Sequence, residues 1–165
     1  MKIALISCTK RQRAYECPAR DLYSESAWFR EAYCYARLVA DRIFILSSEY
    51  GLVPERMVIA PYDETLSYKR VEERREWAEM VLDELGKVSD LEHDEFIVLA
   101  GKFYYENLLP HLVHVELPLR GRRQGERIPE LRRLIRLEME SNNTLALHML
   151  FNGLPRFDWT MIDQI

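Results

Sequence analysis

Four short apolar runs, each separated from the next by a stretch of helical period, constrain this chain more than any other feature. They lie at 2–7, 42–47, 95–100 and 114–117, are rich in Ile, Val, Leu or Phe, and are flanked by polar residues or glycine. Runs of this length with such flanks read as strands. Between the first two, Trp28, Phe29, Ala32, Tyr33, Ala36 and Val39 recur on one helical face over 26–40, with Ser24 or Ser26 as its cap. Between the second and third, Val71, Trp77, Met80, Val81 and Leu85 share a face over 68–86, and Gly86 is a natural stop. A short helix is expected over 103–109 and a longer one over 128–140, with Leu131, Leu134, Ile135 and Leu137 inward. Strands alternating with helices predict an α/β fold: three layers, α/β/α, around a mainly parallel central sheet of about four strands.

The chain has 165 residues, near the common size for one hydrophobic core, so 1–165 is read as a single domain. Its 48% apolar content and six glycines fit a folded globule and exclude a disordered chain. No apolar run is long enough to cross a bilayer and no signal-peptide pattern opens the sequence, so the expectation is a cytoplasmic protein with no membrane partner. Cys8, Cys17 and Cys34 form an odd set with no CxxC pair or His/Cys cluster, which predicts reduced thiols and no metal. A net charge of −4 hides an asymmetry: 62–95 is acid-rich, whereas 120–136 holds seven arginines against Glu126 and Glu130. One face is expected to be basic. The aromatic stretch over 142–165 reads as a tail packing on the core or a partner, and oligomeric state stays open.

In parallel folds ligands collect at the carboxyl ends of the strands, and the unusual residues fall in those loops. After the first run, Cys8 reads either as a thiol activated by Lys10 and Arg11 or as a small apolar residue, with no nearby His to serve as its base. Lys10, Arg11 and Arg13 suit a phosphate or a solvated basic turn equally. After the second run, Ser47, Ser48, Glu49, Tyr50 and Gly51 bring a hydroxyl, a carboxylate and a phenol to the ligand-binding end. Glu49 is a candidate general base or stabiliser of positive charge on a sugar. Tyr50 could stack on a base or pack as a core ring; Tyr62 and Asp63 re-enter the same rim, Asp63 also fitting a turn or cap. Gly101 and Lys102 stand at a strand-to-helix junction suited to an anion or simply to a tight turn. Arg120, Arg122, Arg123 and Arg127, interleaved with Gly121 and Gly125, fit a nucleic-acid phosphate chain or a solubilising loop. No GxxxxGK[ST] or GxGxxG phosphate loop occurs.

Together, "ISC" with basic residues, "PARDLYSES.WF", "FILSSEYGLVPERMVIAPYDETL", "VLAGKFYYENL" and "PLRGRRQGERIPEL" resemble a bacterial and phage family catalogued mainly as a domain of unknown function. That family is similar to the uracil-DNA-glycosylase-like module of archaeosine synthase and related transfer-RNA modification proteins. The resemblance covers about 2–134 and implies a uracil-DNA-glycosylase-like fold and a nucleobase joined to a sugar-phosphate chain as substrate. Some members of the wider group excise glucosylated hydroxymethylcytosine from phage DNA in anti-phage defence. In the archaeosine synthase module a Cys-x3-Lys pattern supplies an attacking lysine; counted from Cys8, that position is Gln12 here.

The expected function is therefore a DNA glycosylase that flips out a modified base and needs neither cofactor nor metal. Glu49, Asp63 and Lys10 are its candidate catalytic residues. Cys8, Arg11, Tyr23, Ser47, Tyr50, Tyr62, Lys102, Arg120, Arg122, Arg123 and Arg127 are its candidate substrate-binding residues. The alternatives are a nucleic-acid-binding or stress-response module without catalysis, and a transfer-RNA base-modifying transferase acting through Lys10.

Overall fold

A computed structural model describes residues 1–141; the tail expected over 142–165 lies outside the described residues. In chain order the elements are β1 (Lys2–Ser7), β2 (Cys17–Pro18), α1 (Ala19–Leu22), α2 (Ala27–Val39), β3 (Arg42–Ser47), β4 (Gly51–Pro54) and β5 (Val58–Ile59). A 3-10 turn at Leu66–Tyr68 leads into α3 (Val71–Val88), followed by β6 (Glu95–Leu99), α4 (Lys102–Tyr105), a second 3-10 turn at Leu109–His111, β7 (His114–Glu116) and α5 (Gln124–Ser141).

All four expected strands form, in a five-stranded sheet of order β4-β3-β1-β6-β7. β1 runs parallel to β3 and β6, with Leu5 opposite Phe44 and Val98, and β6 runs parallel to β7. The fifth strand, β4, lies in what the sequence presented as a loop. Gly51 takes φ +76°, which an L side chain rarely adopts, and turns the chain straight back antiparallel to β3. Pro54 in β4 is tolerated because the strand is at the sheet edge. β2 and β5 pair separately and tie the loop after β1 to the loop after β4.

Side-chain alternation along the strands explains the three layers. Ile3, Leu5, Phe44, Leu46, Phe96 and Val98 face α3 and bury Trp77, Val81 and Leu85. Ala4, Ile6, Ile43, Ile45, Ile97 and Leu99 point the other way, onto Phe29, Ala32 and Ala36 of α2 and Leu131 and Ile135 of α5. Each large apolar side chain so buried contributes roughly 1.5–3 kcal/mol. Ser26 caps α2, its Oγ accepting the Phe29 N–H at 3.3 Å. α5 starts four residues before the expected 128, because Glu126 reaches back to accept the Arg123 N–H at 2.7 Å and so caps the extra turn.

The connectivity singles out one place on the molecule. From β1 the next parallel strand, β3, lies on one side, and β6 lies on the other. Crossovers that leave a strand in opposite directions open a crevice beyond its carboxyl end. The residues there are Ser7, Cys8 and Thr9 after β1, and Gly101 after β6.

Candidate functional site

A cavity of about 360 Å³ occupies that crevice, lined by Ser7, Cys8, Thr9, Trp28, Gly101, Tyr104, Gln124, Arg127 and Ile128. Its volume lies within the roughly 300–1,000 Å³ usual for small-ligand sites. Four elements build it: the end of β1, the first turn of α2, the β6–α4 junction and the first turn of α5. Gly101 takes φ −72°, open to any residue, and a Cβ built on it would meet nothing within 4 Å. Neither backbone strain nor a close neighbour requires glycine there, so its missing side chain enlarges the cavity. A second cavity, of about 280 Å³, lies beside the start of β3, between Arg37, Glu55 and Arg56, away from the crevice.

One wall of the strand-end cavity belongs to a network of neutral hydroxyls. Cys8 Sγ lies 3.6 Å from Ser48 Oγ and 3.4 Å from the Tyr104 hydroxyl, and its backbone N–H donates to Leu46 O at 2.9 Å. Ser47 Oγ donates to the Tyr62 hydroxyl at 2.8 Å and accepts the backbone N–H groups of Glu49 and Tyr50. The Tyr62 and Tyr23 hydroxyls are 2.7 Å apart. Burial is the first cause that raises the pKa values of Tyr23, Tyr62 and Tyr104 well above that of a free phenol, and it keeps all three protonated. The other wall is different in kind. Trp28 and Arg127 line it, and the Trp28 Nε1 and Arg127 Nε atoms are buried without a hydrogen-bond partner among the described residues.

Of the residues singled out from sequence, Cys8, Gly101 and Arg127 line the cavity. Ser47 and Tyr23 are fully buried behind it: Tyr23 packs its ring 5.3 Å from Phe29 and holds Tyr62, so it shapes the wall instead of stacking on a ligand. Tyr62 is half-buried, and Tyr50 sets its ring edge-on to Tyr62 at 5.4 Å and donates to Ala60 O at 3.3 Å. Glu49 and Asp63 are exposed on the segments after β3 and do not line the cavity. Lys10, Arg11 and Lys102 are exposed near its mouth in sequence, with Lys10 Nζ 5.7 Å from the centre of the Tyr68 ring. The arginine loop divides. Arg120, Arg122 and Arg123 are exposed, and Arg122 is drawn to Glu130 at 3.5 Å, so only Arg127 of the four reaches the crevice.

Gln12, at the position of the lysine in the related module, is fully engaged locally: its Oε1 accepts the Tyr62 N–H at 2.9 Å and its Nε2 donates to Thr9 O at 3.0 Å. It braces the loop. Sequence reasoning missed Ser7, Thr9, Trp28, Tyr104, Gln124 and Ile128. Trp28 read as part of a core-facing stripe; the signal available for Tyr104 was its place one helical turn after the strand-end Gly101.

Among the described residues no group of three or more His, Cys, Asp or Glu side chains is placed to hold a metal ion, and no helix is long and apolar enough to cross a membrane. Residues 3–133 match the model of DUF6884, a family of unknown function, and the chain belongs to that family. No curated protein and no solved structure matches it.

Proposed function

We propose that this member of the DUF6884 family takes one nucleotide of a DNA strand into the strand-end cavity and cleaves the bond between base and deoxyribose, on a uracil-DNA-glycosylase-like fold. The observation that carries the reading is the cavity itself: it lies at the topological switch point, with an indole and a guanidinium on one wall and protonated hydroxyls and a thiol on the other. A planar, polar-edged base needs an aromatic surface and neutral hydrogen-bonding groups, and a phosphate needs a guanidinium. Extruding the nucleotide costs on the order of a few kcal/mol in lost stacking, which phosphate contacts offset. The three-layer sheet with its site at the strand ends supports the fold assignment.

The reaction adds water across the glycosidic bond. The water oxygen bonds to C1′ of the sugar, the bonding pair leaves with the base, and the water's proton ends on the base. Positive charge grows on the sugar and negative charge on the base. Arg127 and the first-turn amides of α5 are the groups suited to the departing base or its phosphate, with Lys10 and Lys102 adding positive charge at the mouth. Among the described residues no carboxylate lines the cavity. The water is oriented from outside the lining, by Glu49 next to Ser48, whose hydroxyl contacts Cys8, with Asp63 as the other candidate.

The substrate implied by the resemblance is phage DNA carrying glucosylated hydroxymethylcytosine. The test is incubation of the pure protein with that DNA, with the same DNA unmodified and with a uracil-containing duplex, followed by abasic-site detection and mass analysis of released bases. Release of one base type is expected, and Glu49→Gln is expected to abolish release while leaving DNA binding intact. Unchanged turnover in that variant removes Glu49 from the mechanism. The carboxylate-free lining favours a second reading, a nucleic-acid-binding module without catalysis, which predicts salt-sensitive binding and intact glycosidic bonds on all three substrates.

A further inference from the structure

Outside the cavity, two aromatic rings stand in solvent on neighbouring elements, and each carries a cation on a face. Tyr68, in the 3-10 turn before α3, is 81% exposed, with Lys10 Nζ 5.7 Å from its ring centre. Phe103, in α4, is 40% exposed, with the Arg74 guanidinium carbon 4.1 Å from its ring centre. These two segments are neighbours: α4 packs against the 3-10 turn. Tyr104 also lines the cavity. Phe103 is thus mounted on the short helix that supplies Tyr104 to the cavity wall, and Tyr68 on the turn packed against that helix.

A soluble domain ordinarily buries Phe, and it ordinarily does not fix a guanidinium against an exposed ring. Arg74 is itself only 13% exposed, held by Glu106 at 3.7 Å and by Lys69 O at 3.2 Å, so the cation backs one face of Phe103 from within the protein. The exposed part of that ring is left to solvent. Free cations stand beside these rings, together with the exposed carboxylates Glu49 and Asp63. Glu64 and Glu73 are spent on Lys69 and Arg70, whereas Lys10, Arg11 and Lys102 enter no ion pair among the described residues. Exposed rings interleaved with free cations are the surface that stacks successive bases while attracting a phosphate chain.

We infer that Tyr68 and Phe103 form a stacking platform for unpaired nucleotides flanking the one that enters the cavity, with Lys10 and Lys102 on their phosphates, so that the preferred partner is a single-stranded nucleic acid. The inference deepens the proposed function and rests on it for the role of the cavity. Neither ring is buried, so Tyr68→Ala and Phe103→Ala leave folding unchanged, as thermal unfolding will verify.

The experiment is fluorescence anisotropy with labelled single-stranded DNA, single-stranded RNA and duplex DNA of equal length, in the wild type, each alanine variant, the double variant, and the conservative Tyr68→Phe and Phe103→Trp. Each alanine variant is expected to weaken single-strand binding about tenfold and the double variant more, with the aromatic replacements restoring it. The ratio of DNA to RNA affinity identifies which strand is preferred. Wild-type affinity in the double alanine variant overturns the platform. So does a defect confined to self-association in sedimentation, which assigns the rings to a protein interface. The two proposals separate cleanly: base release with unchanged KM in the double variant sinks the platform and keeps the glycosylase. Ring-dependent strand binding without base release keeps the platform and sinks the glycosylase.

Discussion

At the scale of single residues, the phenols behind the cavity set how the protein responds to alkali. Burial raises Tyr23, Tyr62 and Tyr104 far above the ordinary value of 10.0 and pushes Tyr33 up to about 12. Between pH 10 and those raised values the unfolded chain releases protons that the native state keeps. Their contribution to stability is therefore whole below about pH 10 and is lost as pH rises above it. Phenolate absorbance from these rings is expected to appear together with the loss of helical circular dichroism; smooth titration in the folded protein would contradict the buried network. Two glycines make the opposite point to each other. Gly51→Ala forces a side chain into φ +76° and its Cβ to 2.6 Å from Met80 Cε, and is expected to cost about 1–3 kcal/mol or more in denaturant unfolding. Gly101→Ser, which keeps a good helix cap, is expected to leave stability within about 0.5 kcal/mol while weakening nucleotide binding in the proposed site, since a Cβ there meets nothing within 4 Å. Sequence made Gly51 conspicuous but gave no means of telling a glycine kept for its backbone from one kept for the space it leaves.

Elements were the most legible level, for a physical reason. β1, β3 and β6 are buried runs whose own composition fixes their state, and α2 and α3 carry one apolar face each, so local pattern and tertiary burial agree; β7, at the sheet edge, is exposed at His114 and Glu116 and half-buried only at Val115. β4, β2 and β5 were hidden because two to four residues do not carry a period, and because pairing with a distant segment, not composition, makes them strands. The same limit held for the site. The loops after the strands were identifiable in advance, and with them Cys8 and Arg127. Trp28 was not, because a helix's first turn reaches the cavity only once α2 has docked on the sheet beside α5. Truncating that contact belongs to this scale: Leu131→Ala, fully buried between α5 and the sheet, is expected to cost about 2–5 kcal/mol, measured by denaturant titration.

For the molecule as a whole, the basic stretch foreseen over 120–136 is partly neutralised within the protein: Arg122 and Arg133 serve Glu130, and Arg132 serves Glu31 at 3.1 Å. Under the proposed function, a protein of net charge −4 draws a nucleic acid through local cations. Its affinity is expected to fall with salt at a shallow slope, about −0.7 per phosphate engaged on a single strand, and Lys10→Gln is expected to reduce the slope by about one such step. Whole-molecule packing also sorts the three thiols. Cys17 and Cys34 are buried, whereas Cys8 is half-exposed on the cavity wall. An alkylating dye would therefore label one position, at the mouth of the crevice, without mutagenesis. That gives the native protein a ready optical handle, through which a bound ligand announces itself by shielding the sulfur or by changing the colour of what is attached to it.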